Sequence, residues 1–100
     1  MLSDLKFYKI IYVMKMVYRY ELPLIEDSKI EMPSSSDILS AEYENGKLLI
    51  NALIDIMQEK KSTYLFKILS TRQHVDRMAG FKFFATVSMT RTKIHIFSKV

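Results

Sequence analysis

The chain has 100 residues, of which 49% are hydrophobic and 26% are charged, and it contains two glycines, two prolines and no cysteine. These values indicate one globular domain with a modest core, and they exclude a disordered chain, a disulfide framework and thiolate metal sites. The formal net charge of +4 is unevenly placed, because residues 1–50 hold six Lys and Arg against eight Asp and Glu, whereas residues 51–100 hold nine against three. Solvated strand faces that carry lysine are the simpler interpretation of the basic second half, and the alternative is a surface for nucleic acid, a nucleotide or an acidic protein partner.

The chain begins with an apolar and basic stretch of 13 residues. Its longest apolar run, residues 10–14, is shorter than the core of a signal peptide and far shorter than a membrane span, so we expect neither of them. We treat residues 1–13 as an N-terminal extension, whose secondary structure stays open, and residues 14–100 as a single β domain.

Alternation of apolar side chains predicts a first strand over residues 14–22. Its apolar face carries Met14, Met16, Tyr18, Tyr20 and Leu22. Pro23 ends this strand, since proline cannot donate to a sheet ladder, and a short second strand over residues 29–32 is closed in the same way by Pro33. The serines at positions 34–36 have no histidine nearby in the sequence, which favours a polar loop over a nucleophile.

Residues 38–56 contain two apolar-rich runs joined by Asn45-Gly46. Both residues of this pair tolerate positive φ, as a type I′ turn requires, so the stretch predicts a β-hairpin. Seven of the nine residues from 48 to 56 are apolar, which predicts that the second arm of the hairpin is buried on both faces.

The second half of the chain predicts three more strands, over residues 63–69, 81–88 and 93–100. Alternation within the second of these strands places Phe81 and Phe83 in the core. Residues 70–80 lack a clear period and are expected to form a loop with one helical turn. The predicted fold class is therefore all-β, with room for one short helix, and the six or seven strands form a small antiparallel β sandwich or a partly open barrel.

Several short motifs of the chain occur in a fixed order. They are Tyr20-Glu21-Leu22-Pro23, Ile30-Glu31-Met32-Pro33, Ile38-Leu39-Ser40, Asn45-Gly46 and His95-Ile96-Phe97. In their order and spacing they resemble those of a family of small uncharacterised bacteriophage proteins. The chain departs from that family at residues 70–74, where the family has a glycine turn, and at residues 1–13, which are peculiar to this chain or reflect a start site assigned too early. The resemblance implies a phage origin, a β fold and a place in the cytoplasm of the infected bacterial host, and it implies no mechanism.

The sequence shows no catalytic constellation. It has two histidines, no cysteine, and no Walker A, Rossmann or metal-binding carboxylate motif, so we expect no enzymatic activity, no metal and no cofactor. His74 and Asp76 have the spacing of a base and its orienting group, but a solvated turn explains this pair more simply. His95 alternates with two isoleucines, which predicts a surface or hydrogen-bonded strand residue.

Cations are concentrated in two late loops with few acidic residues nearby. We expect a charged ligand, such as a nucleotide signal, to contact Arg72, His74, Arg77, Arg91 and Lys93. Nucleic acid is the alternative ligand for this basic half of the chain.

Tyrosines are concentrated around the first strand, where an edge must be covered or paired. We expect a host protein or a second copy of the chain to contact Tyr12, Tyr18 and Tyr20, unless these rings simply fill the sandwich. The expected function is non-catalytic binding by a phage accessory protein, as an inhibitor or sequestering protein directed at a component of host antiviral defence. The alternative function is nucleic-acid or nucleotide binding through the basic second half.

Overall fold

A computed structural model describes residues 13–100, and every regular element in that range is a β-strand. The seven strands are β1 (Lys15–Leu22), β2 (Asp27–Pro33), β3 (Asp37–Glu44), β4 (Lys47–Asp55), β5 (Lys61–Ser70), β6 (Lys82–Ser88) and β7 (Lys93–Lys99). The predicted all-β class is confirmed. None of the described residues forms a helix that could cross a membrane. Tyr12 and all but the last residue of the expected N-terminal extension lie outside the described residues.

The strands form two antiparallel sheets. The three-stranded sheet has the order β1-β4-β3, and the four-stranded sheet has the order β2-β5-β7-β6. Buried residues of both sheets form one hydrophobic cluster, an arrangement that fits the predicted small β sandwich or open barrel. Its largest fully buried side chains are Leu22, Met32, Leu48, Ile50, Phe66 and Ile96.

The hairpin of β3 and β4 is present as the sequence predicted. Asn45 and Gly46 both have positive φ, 52° and 78°, and the turn is closed by the pair Glu44 and Lys47. Positive φ at both central positions is characteristic of a type I′ turn, whose twist matches that of the strands it connects.

The prediction that β4 is buried on both faces is wrong for its outer face. Leu48, Ile50, Ala52 and Ile54 are buried between the sheets, but Leu49, Asn51 and Leu53 on the outer face are only partly buried. The outer face is polar at its centre, where the guanidinium of Arg19 donates to Asn51 Oδ1 over 3.1 Å and to Glu42 Oε1 over 2.9 Å. The apolar residues beside Asn51 therefore cover one face of an open sheet, and no third layer packs on them in the described part of the chain.

A register shift in β6 between Phe83 and Ala85 changes which aromatic side chains enter the core. Such a bulge adds one residue to one strand, so the side chains beyond it swap faces. Phe84 packs against the core, whereas Phe83 is 59% exposed on the outer face, with its ring edge-on to that of Phe97. The prediction that Phe83 lies in the core is therefore wrong, and so is the same prediction for Phe81, which is outside the core cluster and contacts the ammonium groups of Lys67 and Lys99. Strict alternation assumes a regular strand, so it cannot predict a bulge that is defined by the pairing of β6 with β7.

The segment between β5 and β6 contains turns and no helix, unlike the expected helical turn. Arg72, Arg77 and Gly80 all have positive φ, which interrupts any right-handed helical run. Gln73 fixes the start of the segment, because its side-chain oxygen accepts from the backbone N–H of Ser70 over 2.9 Å. The segment 71–81, called the cover loop below, lies over the outer face of the four-stranded sheet.

Candidate functional site

The cations predicted to form one ligand site lie in two places. Arg91 and Lys93 line a shallow groove of about 490 Å³ in the β6–β7 turn, and Thr71 of the cover loop lines it with them. Arg72 follows Thr71 in the chain and is exposed, as is His74. Arg77 instead lines a separate pocket of about 250 Å³. The structure thus brings together Arg91, Lys93 and the start of the cover loop, but not Arg77.

His95 joins β6, β7 and the cover loop. Its Nε2 lies 3.0 Å from Thr71 Oγ1, and its Nδ1 lies 2.9 Å from Thr86 Oγ1. Both ring nitrogens are thereby occupied by hydroxyl groups that can donate or accept. This agrees with the predicted hydrogen-bonded strand histidine, and it shows how the first residue of the cover loop is held against the sheet.

The two described tyrosines of β1 lie on the same face of the strand. Their rings are 4.8 Å apart between centroids and tilted by 57°. Tyr20 packs against the core, and this burial raises the pKa of its hydroxyl group, with smaller contributions from Tyr18 and Tyr64. Tyr18 is 47% exposed and lines an open groove of about 380 Å³ with Tyr20, Ile54 and Ile56. Tyr20 therefore acts mainly as a core residue, whereas about half of Tyr18 stays accessible at the groove.

Apolar side chains continue from this groove along β1 and the end of β4. Those that are exposed are Val13, Met14, Met16, Val17, Ile56 and Met57. Together with Tyr18 they form what we call the β1 surface, which covers both faces of the strand: Val17, opposite Leu53, lies on the outer face, and Met16 and Tyr18 lie on the inner face. β1 pairs with β4 on one side only, and no strand of the described chain pairs with its other side. An unpaired strand edge beside exposed apolar side chains is the usual composition of a site for another chain.

A second feature, which sequence analysis did not find, is a buried lysine in the four-stranded sheet. Lys67 is 3% exposed on the outer face of β5, under the cover loop. Its ammonium group lies 2.8 Å from Asp27 Oδ1 and 3.8 Å from Glu26 Oε2, and it donates to the carbonyl oxygen of Asp76 over 3.4 Å. The only signal in the sequence was one lysine within the otherwise apolar run of residues 64–69.

A family model described as Domain of unknown function (DUF7352) matches residues 14–100, a range that includes all seven strands. No curated protein and no solved structure matches the chain significantly.

Proposed function

This chain belongs to that domain family of unknown function, and from this premise we propose that it is a non-catalytic binding protein that takes up an extended segment of a partner protein along β1. The observation that carries the proposal is an edge that no strand of residues 13–100 pairs with, next to a partly exposed tyrosine and an apolar surface. Strand addition of this kind obtains affinity from main-chain hydrogen bonds and specificity from pockets for alternate side chains.

The hydrogen-bonding pattern of β1 identifies the groups available to such a partner. The N–H of Ile56 donates to the carbonyl oxygen of Met14 over 2.9 Å, which makes these two residues a bonded pair. Bonded and non-bonded pairs alternate along an antiparallel ladder, and the register from Lys15 to Leu22 contains no shift. The main-chain groups of Lys15, Val17, Arg19 and Glu21 therefore point away from β4, towards the open side.

The side chains beside that edge suit a protein rather than a small polar ligand. Tyr18 presents a large rigid ring at low entropic cost, and the methionines at 14 and 16 adapt to irregular apolar surfaces. Glu31 and Lys61 line the groove next to these apolar groups, so a partner segment with both apolar and charged residues would be complementary to it.

The identity of the partner is the finer part of the proposal. The motifs that resemble those of small phage proteins support a phage accessory protein acting in the cytoplasm of an infected bacterium. A component of host antiviral defence is the target class we propose, on the associational ground that small phage proteins frequently act by binding host machinery. A second copy of the chain is the other candidate occupant of β1.

The test compares two substitutions at Val17, whose N–H points to the open side. Val17→Pro removes this donor without removing a hydrogen bond to β4, whereas Val17→Ala retains it. We expect Val17→Pro to lower the amount of partner captured from bacterial lysate by about tenfold or more, since a main-chain hydrogen bond and the fit along the edge are lost. Quantitative mass spectrometry of material captured by the tagged full chain measures this.

Val17→Ala should capture nearly the normal amount, and circular dichroism should show that both variants fold. Equal capture by the two folded variants would rule out strand addition at β1. Light scattering of the full chain and of a shorter chain beginning at Met14 tests the second copy as the occupant. A monomer mass for both, at concentrations used for structural work, would remove the homodimer from the proposal.

Nucleic-acid or nucleotide binding is a second candidate function, supported by the groove that holds Arg91 and Lys93. Replacing both by Gln is expected to lower the affinity for a single-stranded oligonucleotide by about tenfold and to reduce its salt dependence, because two phosphate contacts are lost. Fluorescence anisotropy at several salt concentrations measures both quantities. Identical salt dependence in the natural chain and the double variant would exclude this groove.

A further inference from the structure

The pocket that Arg77 lines lies on the outer face of the four-stranded sheet, away from the β1 surface. Its walls include Asp27, Leu65, Lys67, Arg77, Phe81 and Lys99, and its volume is about 250 Å³. These residues come from β2, β5, the cover loop and β7. We call it the outer pocket, and three of its six named residues are cations.

Lys67 provides a fixed positive charge at the base of this pocket. A buried ammonium group is costly unless its donors are satisfied, and here Asp27, Glu26 and the carbonyl group of Asp76 surround it. Its donors are therefore already directed at protein groups. Its charge is offset by the two carboxylates, and Lys67 serves to fix the floor of the outer pocket and takes no part in direct contact with a ligand.

Lys99 is held in place but keeps donor capacity. Its ammonium group lies 4.6 Å from the centroid of the Phe81 ring and donates to the carbonyl oxygen of Ala79 over 3.0 Å. An ammonium group has three N–H donors, so further ones remain. Gly80 adopts a φ of 83°, which favours glycine, and a Cβ there would make a tight contact of 3.2 Å with Lys99 Cδ.

Arg77 completes the cationic lining. It adopts a φ of 58°, which turns the cover loop back towards the sheet. Within residues 13–100, neither Arg77 nor Lys99 lies within 4.0 Å of a carboxylate oxygen, in contrast to Lys67. A guanidinium group presents paired N–H donors that match two oxygens of a phosphate group.

The charges at the pocket define the ligand. Lys67 is paired with Asp27 and Glu26, so the positive charges available to a ligand are those of Arg77 and Lys99. A phosphate monoester carries a charge of about −1.5 to −2 at neutral pH. The pocket is smaller than most drug-sized sites, which begin at about 300 Å³. We propose that the outer pocket binds a phosphate monoester dianion, with Lys99 and Arg77 as its direct contacts.

The experiment titrates the full chain with inorganic phosphate and with adenosine monophosphate, followed by amide chemical shifts and by calorimetry. Four single substitutions, each removing one positive charge, are compared: Arg77→Gln and Lys99→Met in the outer pocket, and Arg91→Gln and Lys93→Gln in the turn groove. We expect saturable shifts centred on residues 77–81 and on Lys99. We expect each pocket variant to weaken binding by about tenfold, as for the loss of a charge-assisted contact, and each groove variant by less than about twofold.

Equal weakening by all four substitutions would mean that only the net charge attracts phosphate, and it would overturn the proposal. Weakening by the groove variants alone would overturn it as well. So would the absence of a saturable shift at phosphate concentrations up to about 10 mM, tenfold above the roughly 1 mM upper end of common KM values.

Discussion

Replacing Phe66 by Ala is expected to lower the free energy of unfolding by about 3–5 kcal/mol, the usual cost of removing a fully buried aromatic ring. Phe66 is 1% exposed, and it lies at the centre of β5, between β2 and β7. Small domains are stable by about 5–15 kcal/mol in total, so this single change removes a large part of the stability. Urea denaturation followed by circular dichroism measures the loss.

Phe83→Ala is the matched control, because it deletes the same atoms from a ring that is 59% exposed. The ring loses an edge-on contact with Phe97 and little else, for which we expect at most about 1 kcal/mol. A loss at Phe83 as large as that at Phe66 would contradict the register shift in β6. It would restore the strict alternation that places Phe83 inside.

Lys67→Glu is expected to lower the free energy of unfolding by about 3–5 kcal/mol, the cost of a buried charge without a counter-ion. The new carboxylate would replace an ammonium group that is 3% exposed, and it would face Asp27, Glu26 and the carbonyl group of Asp76. All of these repel a negative charge. The same change should free the cover loop, and hydrogen exchange of residues 71–81 should accelerate in parallel with the loss seen by urea denaturation.

Lys67→Met separates the charge from the packing at this position. Asp27 is 65% exposed, so water can replace its lost partner, and a methionine of similar length keeps the apolar contacts. We expect a change of less than about 1.5 kcal/mol. Equal destabilisation by Lys67→Met and Lys67→Glu would contradict this explanation. It would mean that loss of the ion pair, and not burial of a negative charge, accounts for the lower free energy of unfolding.

Periodicity alone was sufficient for the strands and the hairpin, because each is defined by neighbours in the sequence. The alternation in β1 and the Asn45-Gly46 turn depend on the preferences of a few adjacent residues, and the structure agrees with both. The faces of β6 were not predictable in this way. The register of that strand depends on its pairing with β7. The additional residue near Phe84 leaves no recognisable signal in the pattern of apolar and polar residues.

The binding surfaces were predictable only in part, for a related reason. Tyr18 was proposed for a partner surface because a candidate edge strand and its tyrosines are both visible in the sequence. The outer pocket was not visible, since Asp27, Lys67 and Lys99 are up to 72 positions apart in the chain and meet only through the pairing of β2, β5 and β7. Arg77 was chosen for its charge, but its neighbours in space differ from those suggested by its neighbours in sequence.

The shifts of register in the outermost strands determine how far association of this chain can extend. β3 has a shift between Ile38 and Ser40, and β6 has one between Phe83 and Ala85. β2 carries Lys29 and Glu31 and ends in Pro33, which discourages further pairing. Among the four outermost strands of residues 13–100, therefore, only β1 has a regular edge at which another strand could form a continuous hydrogen-bond ladder. Head-to-tail growth into a filament needs two compatible edges on each molecule, so the proposed strand addition at β1 would end with a single added strand.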